Sequence, residues 1–298
     1  MVEIGIIVPS YNNSNYLEKC IKSIFSKINS ENFKIMIVDN ASQDEKVKEL
    51  LANLEKNNKI FVLKNLENLG FGRAINLGMN HLHTKCKDIK YIIVLNQDTQ
   101  ILNDIFREII TFMENQKDIG ICGPRLFNHD GTIQNSFYTF PSISKKTFQL
   151  LGLKRLSSIF IKCGIFNKLL PSFASSYLKN FSDIYNPIEV PWITGACMII
   201  KKRVFEDIGG FDENYKMYSE EMDFCLRARK NGWKIYYVPQ AEVLHYMGWK
   251  SSKYSREMVN IFYDSLAYFY KKYYHGLGRN VLLFLNEVER RRKLKRVG

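Results

Sequence analysis

The chain is poor in several things, and each shortage closes off a class of protein. Its 298 residues include only seven prolines, too few for a disordered or Pro-rich chain. Its six cysteines (Cys20, Cys86, Cys122, Cys163, Cys197, Cys225) stand far apart, without the paired spacings of a zinc site or a disulfide framework. Several lie in apolar runs such as Gly195-Ala196-Cys197-Met198-Ile199, where cysteine acts as a small buried hydrophobe in a reducing compartment. No apolar run approaches the roughly 20 residues that span a bilayer. The start, Met1-Val2-Glu3-Ile4-Gly5-Ile6-Ile7-Val8, carries an acid and no basic stretch. It reads as a first strand, and a secreted or membrane-spanning protein is not expected. No internal repeat or Ser/Gly linker divides the sequence.

Negative charge is also scarce. Between Gly131 and Ser182 there is no Asp or Glu, yet Lys145, Lys146, Lys154, Arg155, Lys162, Lys168 and Lys179 fall there. Over the whole chain 43 Lys and Arg outweigh 30 Asp and Glu, a net charge of +13, which calls for an anionic partner. Leu153, Leu156, Phe160 and Cys163 recur at helical spacing with Lys154, Arg155, Ser158 and Lys162 turned away. Val281 to Arg296 repeats that design, with Arg290 to Arg296 almost wholly basic. Such segments fit a membrane surface, apolar face in the lipid and cations at the headgroups.

What is present is a βα alternation. Ile4 to Val8, Phe33 to Val38, Ile60 to Leu63 and Tyr91 to Leu95 read as strands, separated by helical periodicity over Tyr16 to Ile28, Lys46 to Lys56 and Gly72 to His81. Near-continuous apolar strands joined by helices imply a parallel sheet covered on both faces. Ligands of such sheets collect outside the carboxyl ends of the strands, which here carry Ser10-Tyr11-Asn12, Asp39-Asn40 and Asn96-Gln97-Asp98. Further on, Ile119 to Gly123 and Trp192 to Lys201 read as strands and Ser219 to Asn231 as a helix. Lys234 to Val238 reads as a strand stopped by Pro239, residues 254–275 as an aromatic-rich helix, and the tail as a last basic one.

Taken by themselves, the chemically interesting residues have ordinary explanations. Asp39 suits a turn or helix cap, Asn96-Gln97-Asp98 a strand-end turn, Glu220-Glu221 the first turn of a helix, and His245 a structural site. Their order argues otherwise. Val8-Pro9-Ser10-Tyr11-Asn12, Val38-Asp39-Asn40-Ala41-Ser42, Asn68-Leu69-Gly70-Phe71-Gly72-Arg73 and Leu95-Asn96-Gln97-Asp98 are followed by Trp192-Ile193-Thr194-Gly195-Ala196. Gly209-Gly210-Phe211-Asp212-Glu213, Glu220-Glu221-Met222-Asp223, Gly232-Trp233, Val238-Pro239 and His245 complete the series. Over residues 2–250 this resembles glycosyltransferase family 2 and, within it, bacterial rhamnosyltransferases of cell-surface polysaccharide (O-antigen or capsule) assembly.

The resemblance implies an α/β, GT-A-type fold: a Rossmann-like, mostly parallel sheet flanked by helices, with a C-terminal helical extension. Residues 1–250 would be the catalytic domain, with 1–100 its nucleotide-sugar half and 101–250 its acceptor and catalytic half, including the basic segment 141–180. Residues 251–298 would form the extension. Implied donor contacts are Pro9, Ser10 and Tyr11, with Asp39 on the uracil or thymine imide. Asn68, Gly70 and Arg73, then Asn96, Gln97 and Asp98, complete them. Asp98 and His245 would hold Mg²⁺ or Mn²⁺ against the diphosphate, Asn96 having replaced the first carboxylate of an Asp-x-Asp motif. Trp192, Thr194 and Gly195 would wall the acceptor pocket. Glu221 inherits the catalytic base, with Glu220 and Asp223 as alternatives.

The implied activity is inverting, metal-dependent transfer of a sugar, rhamnose from dTDP-rhamnose first. UDP-galactofuranose, UDP-galactose and UDP-N-acetylglucosamine are the alternative donors, and a lipid-diphosphate-linked glycan is the acceptor. The enzyme would sit in the cytoplasm on the inner face of a bacterial plasma membrane, with an oligomer left open. A nucleotidyltransferase would show a Gly-rich, Lys- or Arg-bearing loop after the first strand, which Val8-Pro9-Ser10-Tyr11-Asn12 is not. A nucleic-acid-binding module would interleave its cations with exposed aromatics, so no nucleic-acid partner is expected.

Overall fold

The computed structural model describes residues 3–29, 32–150, 184–246 and 255–297. The basic segment around Leu153 to Lys162 lies outside them. Strands β1 (Ile4–Ser10), β2 (Phe33–Asp39), β3 (Ile60–Lys64) and β4 (Tyr91–Leu95) are parallel neighbours in the order β3-β2-β1-β4. Helices α1 (Ser14–Lys27), α2 (Glu45–Leu54) and α3 (Phe71–Lys85) make the crossovers. The apolar runs bury both faces. Ile6 and Val8 pack with Leu17, Ile24 and Leu51 in one layer, while Ile7 packs with Ala74, Ile75 and Val94 in the other, the two-residue period of a strand.

Beyond β4 lie β5 (Thr99–Ile101), α4 (Ile105–Glu114), β6 (Ile119–Phe127), β7 (Ile133–Gln134), β8 (Phe137–Tyr138) and α5 (Ile143–Leu150). Then come β9 (Ile188–Glu189), β10 (Trp192–Ile193), β11 (Cys197–Lys201), α6 (Lys202–Ile208), α7 (Glu220–Lys230) and β12 (Lys234–His245). The sheet continues β4-β11-β6-β12-β5, with β11 antiparallel to both its neighbours. The expected mostly parallel sheet flanked by helices is therefore what forms, mixed by the antiparallel β11.

Several boundaries move by a few residues, β6 running on to Phe127, and two readings differ in kind. Trp192 to Lys201 is two strands, because the Thr194 hydroxyl accepts from the Ala196 amide (3.2 Å) and turns the chain. β10 leaves the main sheet to pair with β8, Trp192 opposite Tyr138. Nor does Pro239 stop its strand. The register of β12 on β6 shifts between Val238 and Glu242, and a bulge is where a residue without an N–H is accommodated.

Helices α8 (Arg256–Tyr273) and α9 (Gly276–Val297) form the C-terminal extension. Leu266, Phe269, Tyr270 and Leu282 join Tyr215 and Met222 in a third apolar cluster. Leu282 and Asn286 of α9 are buried, Lys146 of α5 pairs with Glu289, and Arg290 bonds Asp264 of α8 (3.0 Å). The inner face of α9 is therefore taken by protein rather than left for lipid. No helix among the described residues is long and apolar enough to cross a membrane.

Candidate active site

The strand order reverses between β1 and β4, and the crevice outside the carboxyl ends of such strands is where an open α/β sheet binds its ligand. Ser10 ends β1 opposite Asp39 at the end of β2, and Asn96-Gln97-Asp98 follows β4. Gln97 ties the loops together: its Oε1 accepts from the Ser10 hydroxyl (3.0 Å) and the Tyr11 amide (3.2 Å), while its Nε2 donates to the Tyr11 carbonyl (2.9 Å). Its amide is thus spent on holding the crevice open in one shape. Asp39, buried, accepts from the Ser42 hydroxyl and amide, and Ser42 accepts from the Asn12 amide (2.7 Å). That is the turn-capping arrangement any strand-end Asp could adopt. It also rigidifies the floor on which a base would lie.

The loop before α3 contributes backbone. Asn68 Oδ1 accepts from the Gly70 amide (3.0 Å), and Asn40 donates to the Gly70 carbonyl (3.2 Å). Gly70 has φ +79°, and a Cβ there would meet the Lys216 carbonyl oxygen at 2.2 Å, so only glycine fits. Arg73, expected among the donor contacts, pairs with Glu213 (3.1 Å), whose other oxygen accepts from Asn76 (3.0 Å). It joins α3 to the loop that leads into α7.

That loop delivers the acids. Tyr218 and Ser219 both take positive φ (69° and 68°), a costly conformation for tyrosine, and Ser265 of α8 holds the Met217 carbonyl (2.7 Å) just before them. The result sets Glu220 and Glu221 at the start of α7. A Cβ on Gly72 would lie 3.9 Å from Glu220 Cβ, and one on Gly195 3.8 Å from Glu221 Cβ, so the pair is walled by α3 and by the Thr194–Gly195 turn. Glu220 is 3% exposed, and one oxygen of each acid is buried without a partner. Burial lifts the Glu221 carboxyl to about 7. Burial, reinforced by the neighbouring Glu221 charge, raises Glu220 well above the carboxylate range. Pairs whose environments push them apart in this way divide into proton holder and proton acceptor.

Asp223 is placed differently. Fully buried, it receives Arg227 (2.7 Å), Lys272 (2.7 Å) and the Tyr273 hydroxyl (2.7 Å), so both oxygens are committed to structure. Lys272 also reaches Asp212 (2.7 Å). Burial alone would raise Asp212, but bonds from Lys272 and Asn214 hold it down to about 2. Nothing in the motif pattern pointed to Lys272 or Tyr273, which lie about fifty residues downstream.

Near the acids, Trp192 stacks on Tyr138 (ring centroids 5.0 Å apart) with its indole N–H buried and unpartnered. Ser136, whose carbonyl accepts from the Thr194 amide (2.9 Å), likewise has a buried unpartnered hydroxyl. Such orphaned groups are rare in finished interiors, and here Trp192 and Ser136 adjoin the Thr194–Gly195 turn that lies against Glu221. On the other side, the Asn96 amide donates to the Ala196 carbonyl (3.0 Å), tying the Asn96–Asp98 loop to the same turn. His245 Nε2 lies 3.5 Å from Asp98 Oδ2. Two ligands at roughly 2.1 Å around one cation sit about 3.0–3.5 Å apart, so a hard divalent ion fits between them. Among the described residues no cluster of three or more His, Cys, Asp or Glu is formed, so the remaining ligands would have to be diphosphate oxygens or water.

The family model described as glycosyl transferase family 2 matches residues 5–209, and that of glycosyl transferase family group 2 matches residues 172–294. Among curated relatives, the N-acetylglucosaminyl-diphospho-decaprenol L-rhamnosyltransferase of Mycobacterium tuberculosis is 26% identical over 251 residues, covering 82% of this chain and 76% of its own. Rhamnosyltransferase WbbL of Escherichia coli is 24% identical over 249 residues, covering 82% and 83%. Among solved structures, GalNAc-T7 with UDP, GalNAc and Mn²⁺ matches 87% of this chain and 47% of its own, at TM-score 0.59 and 15% identity. The mannosyltransferase PcManGT of Pyrobaculum calidifontis, with GDP-Man and Mn²⁺, matches 97% and 69% at TM-score 0.58 and 13% identity.

Proposed function

The chain belongs to glycosyl transferase family 2, and from that membership and the geometry of its site we propose an inverting rhamnosyltransferase, taking rhamnose from dTDP-rhamnose to a lipid-diphosphate-linked glycan. The observation that carries the reading is the Glu220–Glu221 pair with a buried, unpartnered oxygen on each acid, standing beside the turn that also anchors Asn96–Asp98. Glu221 is half ionised near neutral pH and takes the proton from an acceptor hydroxyl, freeing that oxygen to attack the anomeric carbon from the face opposite the nucleotide. Burial and the Glu221 charge favour the neutral form of Glu220, which keeps a second negative charge away from the attacking oxygen. Trp192 and Tyr138 offer an aromatic platform to a sugar ring, and the indole N–H and Ser136 hydroxyl await its hydroxyls. Asp98 and His245 would hold Mg²⁺ or Mn²⁺, which when bound supplies positive charge to the departing diphosphate.

The rhamnosyl assignment rests on what the two curated relatives transfer, and the lipid-linked acceptor on the name of the mycobacterial one. The outer face of α9 supports work at a membrane surface. Leu277 and Phe284 are 79% and 67% exposed, and Arg291 and Lys295 share their side of the helix within about 40° at 100° per residue. The deciding experiment offers dTDP-rhamnose, UDP-galactofuranose, UDP-galactose and UDP-N-acetylglucosamine in turn, with a polyprenyl-diphosphate-linked acceptor and Mg²⁺ or Mn²⁺. We expect dTDP release and an inverted rhamnosidic linkage by NMR. Transfer from a UDP-sugar alone replaces the donor, and a retained anomeric configuration overturns the mechanism.

A further inference from the structure

We propose that Gln134 is a positioning residue of the cation site, fixing the His245 imidazole with its proton on Nδ1 and its Nε2 lone pair turned to Asp98. The inference rests on the reading of Asp98 and His245 as ligands given above. Gln134 ends β7, and its Oε1 stands 3.0 Å from His245 Nδ1. An amide oxygen can only accept, so Nδ1 carries the hydrogen, and a neutral ring then leaves Nε2 as a bare lone pair. The other edge of the ring agrees. At 3.5 Å, Nε2 is too far from Asp98 Oδ2 for a good N–H···O bond, yet at the spacing of two ligands around one ion.

The backbone makes the arrangement firm. β7 and β12 both pair with β6, Gln134 opposite Leu126 and Leu244 opposite Phe127, while His245 opposes Thr99 of β5. Amide and imidazole are therefore set by one ladder rather than by a free loop. The Tyr246 amide donates to the Asp98 carbonyl (2.9 Å), which registers the carboxylate against the same strand. The His245 and Asp98 side chains are 12% and 15% exposed, so little water competes for Nδ1. A ligating histidine held through its other nitrogen is oriented before the metal arrives, and removing the outer partner typically costs about 10–100-fold in metal affinity.

Two measurements test this. In the metal-free protein, long-range ¹H–¹⁵N correlation of the neutral His245 ring should report a proton on Nδ1; a ring protonated on Nε2 overturns the proposal without any variant. Mn²⁺ alone, followed by electron paramagnetic resonance, should bind Gln134→Leu about 10–100-fold more weakly than the parent. Gln134→Glu, which keeps an accepting oxygen, should bind at least as tightly as the parent. dTDP binding in chelator should be the same in all three, since the effect runs through the cation. Equal Mn²⁺ affinity in Gln134→Leu and parent refutes the positioning role while leaving the cation site standing. A parent that takes up no Mn²⁺, alone or with dTDP, removes the cation site and this proposal with it.

Discussion

Replacing Glu221 by Gln tests the mechanism at its centre, because the structure dictates how the effect must vary with pH. The carboxyl is lifted by burial to about 7, so in the parent about a tenth is ionised at pH 6 and about nine tenths at pH 8. Transfer by the parent, with donor and acceptor saturating, should therefore rise about tenfold over that interval and level off. Gln cannot accept the proton, and losing a general base costs about 10²–10⁴-fold. The deficit should be largest at pH 8 and about ten times smaller at pH 6, where most of the parent is idle as well. Donor binding by calorimetry should barely change. Stability should move the opposite way. The folded carboxyl binds its proton more tightly than the unfolded one, so its contribution is full below about pH 4.5 and is lost as pH rises through about 7. Gln stays neutral throughout, so the variant should be more stable than the parent at pH 8, by at most about 3 kcal/mol, and equal to it near pH 4. Urea unfolding at both pH values measures this. A deficit that does not vary between pH 6 and pH 8 would refute the assignment, and a rising limb that survives in the variant would pass the role to Glu220.

The other predictions concern the frame around that group. Asp98→Asn should weaken dTDP binding when Mn²⁺ or Mg²⁺ is present and leave it unchanged in chelator; calorimetric titrations under both conditions separate an ion ligand from a loop support. Gly70→Ala should destabilise by about 1–3 kcal/mol or more, since it combines a positive φ with a Cβ driven onto the Lys216 carbonyl, as read from the urea midpoint. Lys272→Met should cost about 3 kcal/mol, because it strips a cation from the buried Asp223 carboxylate. Lys272→Arg should recover part of that in the same assay. Anionic vesicles at low salt should float the protein and neutral ones should not, and Leu277→Ser with Phe284→Ser should reduce flotation while leaving transfer to a soluble acceptor intact.

Much of the fold was legible because its signals are local. Runs such as Ile35 to Val38 and Tyr91 to Leu95 are buried on both faces, and a buried parallel strand has no other way to look. The crevice followed from where those runs stop. Glu221 and His245 were singled out only through the order of motifs, since an acidic first turn or one histidine means little alone. Less could be read where a pattern runs through its own interruption. Apolar residues on both sides of Thr194-Gly195 hid a turn, and Pro239 marked a bulge where it suggested an end. Long-range partners were invisible. Arg73 met Glu213, Gln134 met His245 and Asp223 met Lys272 through chain separations that leave no periodic trace.

The grip of Lys272 and Tyr273 on Asp223 bears on how the protein comes into being. A ribosome finishes β1 to β4 first and α7 next, but the last counter-charge for Asp223 belongs to a helix that emerges some fifty residues later. Until then Asp223 has Arg227 on its own helix and the Tyr215 hydroxyl (3.3 Å) but not Lys272, and the turn before Glu220 lacks the hold of Ser265 on Met217. A chain that stops short of α8 would thus carry its sheet while Glu220 and Glu221 stayed unaimed. Docking of α8 and closure of the acid-bearing turn become the same event.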